Sequence, residues 1–168
     1  MAGLEAEIAR LIREYQARTG KLLTVGAVES ATGGRIADRI TNVPGSSDYF
    51  KGSVVAYSNQ VKTSLVGVRQ ETIERYGAVS DQTALEMAQG GRKVLEVDIC
   101  VSDTGIAGPT GGTADKPVGL FYLGLAARDD SFSQKHVFPR NREGNKRDAA
   151  EAALGMLREY LRRHSGGV

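Results

Sequence analysis

The spacing of apolar residues in the first forty positions changes from helical to strand-like and back. A first helix ending near Gly20 is predicted by apolar residues at three- and four-residue spacing, namely Leu4, Ile8, Leu11, Ile12 and Tyr15. The apolar run Leu22–Val28 then predicts a buried strand. This strand stops before Ser30, and a turn of small residues opens a second predicted helix over Thr32–Ile40.

The rest of the chain alternates between the same two patterns. The predicted elements are a strand over Ser53–Tyr57, short helices over Val61–Leu65 and Glu71–Arg75, a helix capped by Ser80, a strand over Asp98–Val101, paired strands over Val118–Ala126 and Phe132–Phe138, a helix over Gly144–Arg163 and a short tail over Ser165–Val168. Helices alternate with strands until two strands follow each other. The pattern therefore predicts an α/β fold, a three-layer α/β/α sandwich with a mixed, mostly parallel sheet.

Length and composition narrow the class of protein. The 168 residues suit a single domain over 1–168, with a net charge of only +2. No basic strip with interleaved aromatic residues is present, so a nucleic-acid partner is not expected. The segment Met1–Arg10 does not read as a secretory signal, and no stretch has the ~20 apolar residues of a membrane span. We expect a cytoplasmic protein without a membrane partner.

Three loops follow predicted strands at their carboxyl ends. They contain Ser30, the run Tyr57-Ser58-Asn59, and the glycine-rich stretch that starts at Gly105. Because ligands of open α/β sheets collect at the carboxyl ends of the strands, these loops are the predicted site.

Ser30 has two possible roles at that edge. Its hydroxyl can cap the following helix, or it can attack an electrophile whose negative charge is held by free backbone N–H groups. A Ser-His-Asp triad would have to use His136, which reads as an ordinary strand residue, and the lone Cys100 and two distant histidines do not supply a zinc site. A neutral lysine is the remaining base, and Lys62 is the candidate, with Tyr57 relaying a proton or orienting the pair. The alternative is that Lys62 is a solvated helix residue.

Two further features of the sequence each have two possible interpretations. The loop from Gly105 to Gly112 can fold its amides around a phosphate or a carboxamide, or it can be a plain turn, since it has no P-loop order of residues. Four cationic residues lie at the start of the last predicted helix, where the helix dipole makes positive charge unfavourable. An anionic ligand bound there would offset this cost, or the residues form a solvated basic face. They are Arg140, Arg142, Lys146 and Arg147.

Several of these motifs occur in one order and at one spacing. They are Glu29-Ser-Ala-Thr-Gly-Gly34, Pro44-Gly-Ser-Ser47, Val55-Ala-Tyr-Ser-Asn59 with Lys62, Gly77-Ala-Val-Ser80, Thr104-Gly-Ile-Ala-Gly-Pro109 and Lys116-Pro-Val-Gly119. In the order and spacing of these motifs, the chain resembles the CinA C-terminal domain family of competence/damage-inducible proteins, whose members include nicotinamide-nucleotide amidohydrolases. The resemblance covers about residues 5–162. The resemblance implies an α/β/α sandwich that hydrolyses the carboxamide of nicotinamide mononucleotide.

The resemblance also implies roles for particular residues. Ser30 would be the nucleophile, Lys62 the base and Tyr57 an assisting residue. An arginine of the last cluster, best matched by Arg142, would lie at the site. The residues of the three loops and of the cationic group add further expected substrate contacts, namely Thr32, Gly33, Gly34, Thr104, Gly105 and Arg147, with backbone N–H groups at Thr32–Gly34 or in the glycine loop holding the oxyanion. No metal or cofactor is implied, and a homo-oligomer, a dimer, is expected. The chain departs from the family at Arg140-Asn-Arg142, where Gly-Asp-Arg is common, and at Thr104, where serine is common.

Two other functions remain open at this point. The domain can be a non-catalytic module that binds a nucleotide or a partner in competence or the response to DNA damage. It can also be an amidohydrolase for a different pyridine or amide substrate.

Overall fold

The computed structural model describes residues 3–165, so Met1, Ala2 and residues 166–168, which form most of the expected tail, lie outside the described residues. Within residues 3–165, six helices and five strands follow one another. They are α1 Leu4–Thr19, β1 Val25–Glu29, α2 Arg35–Thr41, β2 Phe50–Val55, α3 Asn59–Ser64, α4 Gln70–Tyr76, α5 Asp81–Val94, β3 Ile99–Gly105, β4 Leu120–Ala126, β5 Ser131–Val137 and α6 Arg142–Ser165, with a 3₁₀ turn at Ser46–Asp48. Within this part of the chain, no helix is long and apolar enough to cross a membrane.

The five strands form one mixed sheet in the order β2-β1-β3-β4-β5. β1 lies parallel to both β2 and β3, whereas β4 is antiparallel to its neighbours β3 and β5. Four of the five strands therefore run in one direction. This arrangement confirms the predicted mixed sheet and brings the carboxyl ends of β1, β2 and β3 to one edge.

The sheet separates two apolar cores, as a three-layer sandwich requires. On one face α1, α2 and α6 cover the larger core, which includes Ile12, Val101 and Leu154. On the other face α5 and the α3–α4 segment cover a smaller core around Val28 and Met87. Alternate residues of β1 and β3 supply the two cores, because successive side chains of a strand point to opposite faces.

The element boundaries differ from the predicted ones where polar side chains are buried. The second helix begins at Arg35, not at Thr32, since residues 31–34 form a turn and Gly34 has a φ of 105°, outside the helical region. β3 extends beyond Val101 to Gly105, through Ser102 and Asp103. A buried polar residue is tolerated in a strand when it is hydrogen-bonded, and the Ser102 hydroxyl donates to Ala84 O at 2.6 Å.

Candidate active site

The side chains of Ser30 and Lys62 meet at the carboxyl edge of the sheet. Ser30 directly follows β1, and Lys62 lies on the short helix α3. Lys62 Nζ donates to Ser30 Oγ at 3.0 Å. Ser30 is 6% exposed and Lys62 2% exposed, so Lys62 is not a solvated helix residue. A nucleophile and its base need this hydrogen-bonding distance.

The environment of Lys62 favours its neutral form. Nζ also donates to two carbonyl oxygens, Ala56 O at 2.8 Å and Tyr57 O at 3.3 Å, which hold the amine toward Ser30. Burial lowers the pKa of Lys62 below its ordinary value of 10.5, and the nearby charge of Asp103 opposes this by raising it. A lowered pKa increases the fraction of the amine that is neutral, and so able to accept a proton, at a given pH.

Glu29, the last residue of β1, caps the following helix. Its buried carboxylate accepts hydrogen bonds from the amides of Gly34 at 3.1 Å, Ile36 at 2.8 Å and Ala37 at 3.2 Å, and from Ser53 Oγ at 2.9 Å. These amides are the unpaired donors at the start of α2. Glu29, and not the Ser30 hydroxyl, therefore serves as the cap.

The amides that were expected to hold an oxyanion are engaged elsewhere. Thr32 N donates to Asp103 Oδ2 at 3.1 Å, Gly33 N to Ser30 O at 3.1 Å, and Gly34 N to Glu29. This corrects the expectation for Thr32–Gly34. Within residues 3–165, no protein group accepts a hydrogen bond from the amide of Ala31, which lines the cleft beside Ser30.

Tyr57 and Arg142 face each other across the cleft. Tyr57 is 63% exposed, and its hydroxyl accepts a hydrogen bond from Arg142 Nη2 at 3.2 Å. Within residues 3–165, the phenol makes no hydrogen bond to Ser30 or Lys62, as a proton relay between them would need, and Tyr57 reaches Lys62 through its backbone carbonyl. Arg142 Nη1 donates to Gly108 O at 2.8 Å. Both acceptors of this guanidinium are uncharged.

The glycine loop is held between β3 and the start of α6. Gly105 closes β3 opposite Phe121, and a Cβ at Gly105 would lie 2.4 Å from the Phe121 ring. Gly108 has a φ of 87°, which favours glycine. The buried amide of Asn145 donates to Ala107 O at 3.0 Å. These contacts make the loop one wall of the cleft, and not a free turn.

Two other expected contact residues have different surroundings. The Thr104 hydroxyl donates to Ala78 O at 2.7 Å, so it anchors the segment before α5 although Thr104 lines the cleft. Arg147 lies outside this cleft, in a separate hollow between α2 and α6, and its guanidinium is 3.7 Å from Asp148. Arg140 also pairs with Asp148, at 2.7 Å. Of the four cations predicted as one group, only Arg142 lines the Ser30 cleft.

The cleft itself has a volume of about 280 Å³, near the lower end of small-molecule sites. Residues of all three predicted loops line it, together with the segment before α5 and the start of α6: Ser30, Ala31, Tyr57, Asn59, Lys62, Ala78, Val79, Thr104, Gly105, Ile106, Ala107, Gly108, Thr110, Gly111 and Arg142.

The other candidate side chains are placed away from this chemistry. Cys100 is buried in the smaller core, where burial raises its pKa to about 12. The His136 ring stacks on Phe138 at the edge strand β5. Across residues 3–165, no three or more His, Cys, Asp or Glu side chains are grouped so that they could hold a metal ion.

Three buried polar residues of the site region had no role assigned to them from the sequence. Glu29 ends the otherwise apolar strand β1, Asp103 lies between Ser102 and Thr104 after the apolar first half of β3, and Asn145 lies inside the last helix. A charged residue next to a fully apolar strand run indicates a buried charge with partners, because charged residues are rarely buried without them. This signal can be found in the sequence. Asn145 carries no comparable signal among the polar residues around it.

Comparison with known proteins identifies the family. The family model of the CinA C-terminal domain matches residues 5–161. CinA-like proteins of Syntrophomonas wolfei and Salinibacter ruber are 51% and 46% identical over 87% and 94% of this chain, which spans only 35% and 37% of their lengths. The crystal structure of competence/damage inducible protein CihA from Agrobacterium tumefaciens is 36% identical, with a TM-score of 0.86 over 96% of this chain and 97% of that one. The chain belongs to the CinA C-terminal domain family.

Proposed function

We propose that this protein hydrolyses the carboxamide of nicotinamide mononucleotide to nicotinate mononucleotide and ammonia through a covalent serine intermediate. The observation that carries the proposal is the 3.0 Å contact between Lys62 Nζ and Ser30 Oγ, in a buried setting at the wall of a cleft. A buried lysine with a lowered pKa is a known type of base for a serine nucleophile. The choice of substrate rests on the family resemblance.

The first half of the reaction forms the acyl-enzyme. Neutral Lys62 accepts the Ser30 proton while Ser30 Oγ attacks the carboxamide carbon. The carbonyl oxygen becomes an oxyanion, for which the free amide of Ala31 is the donor that we assign. Lys62 then passes the proton to the departing nitrogen, the C–N bond breaks, and ammonia leaves.

The second half releases the acid. A water molecule loses a proton to neutral Lys62 and attacks the ester carbon, and the same amide holds the second oxyanion. When the bond to Ser30 Oγ breaks, Lys62 returns the proton to that oxygen. The enzyme is regenerated, and the carboxylic acid that is released loses its proton to solvent to become the carboxylate.

Arg142 is the group that we assign to the substrate phosphate. Within residues 3–165, its guanidinium has no carboxylate partner within ion-pair distance, and its acceptors are the neutral Gly108 carbonyl and Tyr57 hydroxyl. An unpaired guanidinium at the mouth of a cleft suits a phosphate, which accepts two of its N–H groups.

The direct test is ammonia release from nicotinamide mononucleotide, with nicotinamide and NAD as comparison substrates. Wild-type protein is expected to release ammonia from the mononucleotide, and Ser30→Ala protein is not. A non-catalytic nucleotide-binding module would bind the mononucleotide without ammonia release by either protein. An amidohydrolase for a different amide would show activity on another substrate that Ser30→Ala abolishes.

The expected dimer is a separate proposal, which sedimentation or light scattering would test.

A further inference from the structure

The Asp103 carboxylate lies beneath the turn that carries Ser30. It is fully buried in β3 and does not line the cleft, so it cannot touch a substrate there. Asp103 Oδ1 accepts the Ser30 amide at 3.0 Å, and Oδ2 accepts the Thr32 amide at 3.1 Å. These two bonds skip Ala31. The carboxylate thereby fixes both ends of a three-residue turn and leaves the middle amide free.

Asp103 shares one hydroxyl group with a second buried carboxyl group. Thr32 Oγ1 lies 2.7 Å from Glu29 Oε1 and also within hydrogen-bonding distance of Asp103 Oδ1. A hydroxyl has a single proton to donate, so it cannot satisfy two carboxylates at once. Glu29 already receives three amides of the helix α2 region and the Ser53 hydroxyl. Asp103 is the carboxyl group with fewer donors, and its charge depends more on its surroundings.

We propose that Asp103 is a positioning residue for the reaction at Ser30. Its carboxylate holds the turn so that the Ser30 hydroxyl faces Lys62 and the Ala31 amide stays free for the oxyanion. Its negative charge also stabilises the ammonium that Lys62 becomes when it takes the Ser30 proton. The kinetic consequences of this inference rest on the proposed function, but the electrostatic coupling of Asp103 to Lys62 does not.

The charges around the turn agree with this role. The charged groups that face Asp103 are Glu29 from β1 and Lys62 from α3. Burial raises the pKa of Asp103 to about 6, bonds from Thr32 and Ser30 oppose the rise, and the charge of Glu29 adds to it. Asp103 in turn raises the pKa of Lys62 against the effect of burial. Asp103 is therefore ionised near neutral pH, where Lys62 has to accept protons.

The first test measures the pKa of Lys62 directly, by NMR titration of lysine side-chain carbons. The variant is Asp103→Asn, which keeps the shape and removes the charge. The matched control is Asp98→Asn. Asp98 lies at the opposite end of β3, and its carboxylate also accepts a hydrogen bond from a backbone amide next to β1, that of Thr24, at 2.9 Å. We expect Asp103→Asn to lower the pKa of Lys62 and Asp98→Asn to leave it unchanged. This measurement needs no substrate.

The second test is the pH profile of ammonia release from nicotinamide mononucleotide. Activity should rise with pH as Lys62 becomes neutral, so Asp103→Asn should move this rise to lower pH. The same variant should lower kcat roughly tenfold to a hundredfold, the effect of losing a charge-assisted hydrogen bond, while KM stays within about twofold. Asp98→Asn should keep the wild-type profile. A merely structural role of Asp103 would not move the pH profile.

An unchanged pKa of Lys62 in folded Asp103→Asn protein overturns the inference, whatever the activity. If the wild type releases no ammonia from this substrate, the proposed function fails, and the titration still decides the inference. If the Asp103→Asn protein does not fold, the Thr32→Val variant is tested in its place. Thr32→Val keeps both carboxyl groups and removes the hydroxyl that they share. Thr32→Val should raise the pKa of Asp103 and, near neutral pH, lower that of Lys62. The absence of both shifts would refute the role of Asp103.

Discussion

Lys62 Nζ lies 3.0 Å from Ser30 Oγ, although 32 positions separate the two residues in the chain. Their approach follows from the parallel pairing of β1 with β2, which places Glu29 opposite Val55 and brings the segments after both strands to one edge. The short helix α3 then turns the lysine back over that edge. The contact is therefore a product of sheet register, and a one-residue slip would remove it.

Ser30→Ala should abolish ammonia release and leave the fold intact. The variant removes the attacking oxygen and one hydrogen bond, which is worth about 1 kcal/mol of unfolding free energy. Activity assays and urea unfolding measure the two effects. Ser46→Ala is the control, because Ser46 is a buried serine outside the cleft, and it should keep full activity. A Ser30→Ala protein with near-wild-type turnover would exclude the covalent mechanism.

Lys62→Arg should also be inactive. A guanidinium keeps its proton up to about pH 12, so it cannot serve as a base at lower pH. The longer, planar group also does not fit the three acceptors of the amine, which are Ser30 Oγ, Ala56 O and Tyr57 O. The measurement is ammonia release across pH 6 to 10, and activity of this variant at any pH would show that Lys62 is not the base.

The contribution of Lys62 to the stability of the wild type, isolated as the difference from a Lys62→Met variant, should rise with pH as the solution becomes alkaline. The pKa of Lys62 is lowered in the folded state, so between that pKa and the ordinary value of 10.5 the unfolded chain binds more protons. Unfolding free energy increases with pH wherever this is so. Lys62→Met should lose this contribution, as urea unfolding at a series of pH values would show. The control Lys93→Met, at an exposed position, should keep the wild-type slope.

Arg142→Ala should raise KM for nicotinamide mononucleotide far more than for the riboside without phosphate. A charge-assisted contact to phosphate is worth about 1.5–3 kcal/mol, which corresponds to roughly 10- to 150-fold in KM. Arg147→Ala is the matched control, since Arg147 lies in another hollow, and it should change neither value. Equal losses on both substrates would place Arg142 in the chemical step or the fold.

Glu29→Gln should destabilise the protein and impair catalysis together. The substitution removes the charge that caps the start of α2 and accepts the Ser53 hydroxyl, at a cost of about 1.5–3 kcal/mol in unfolding free energy. Glu14→Gln, in an exposed pair with Arg10, should cost only about 0.3–0.5 kcal/mol. Chemical unfolding of both variants measures the difference, and equal effects would mean that Glu29 is not the cap.

The local sequence pattern was sufficient to predict most helices and strands, but it did not predict where they begin or end at polar residues. The first helix ends at Gly20 and Ser80 caps α5, as predicted, because both signals act within a few residues. The predicted start of the second helix at Thr32 was wrong, since the carboxylate of Glu29 pairs with amides from Gly34 onward and residues 31–34 form a turn. That pairing depends on how β1 and α2 pack, which spacing along the chain does not express.

The residue types at the site were predictable, and their assignments were only partly so. A serine after a buried strand and a lysine after the next predicted strand were enough to propose a pair, because strand ends of a parallel sheet share an edge. The phenol of Tyr57 was expected to act on Ser30 and Lys62, yet it pairs with Arg142 across the cleft, and the guanidinium of Arg147 was expected to contact the substrate, yet it lies beyond the cleft. Long side chains on exposed turns and helices can point in several directions, so their partners follow from packing.

The sequence by itself determined the α/β class, the family, and the small set of side chains able to carry the chemistry, because these depend on periodicity and residue type. Only the tertiary structure decided that Lys62 is buried against Ser30, that the Ala31 amide is left free, and that Asp103 lies beneath the turn. Each of these facts depends on strands that are distant in the chain and adjacent in the sheet. Burial and hydrogen bonding there set the pKa values of Lys62 and Asp103, and no local pattern contains that information.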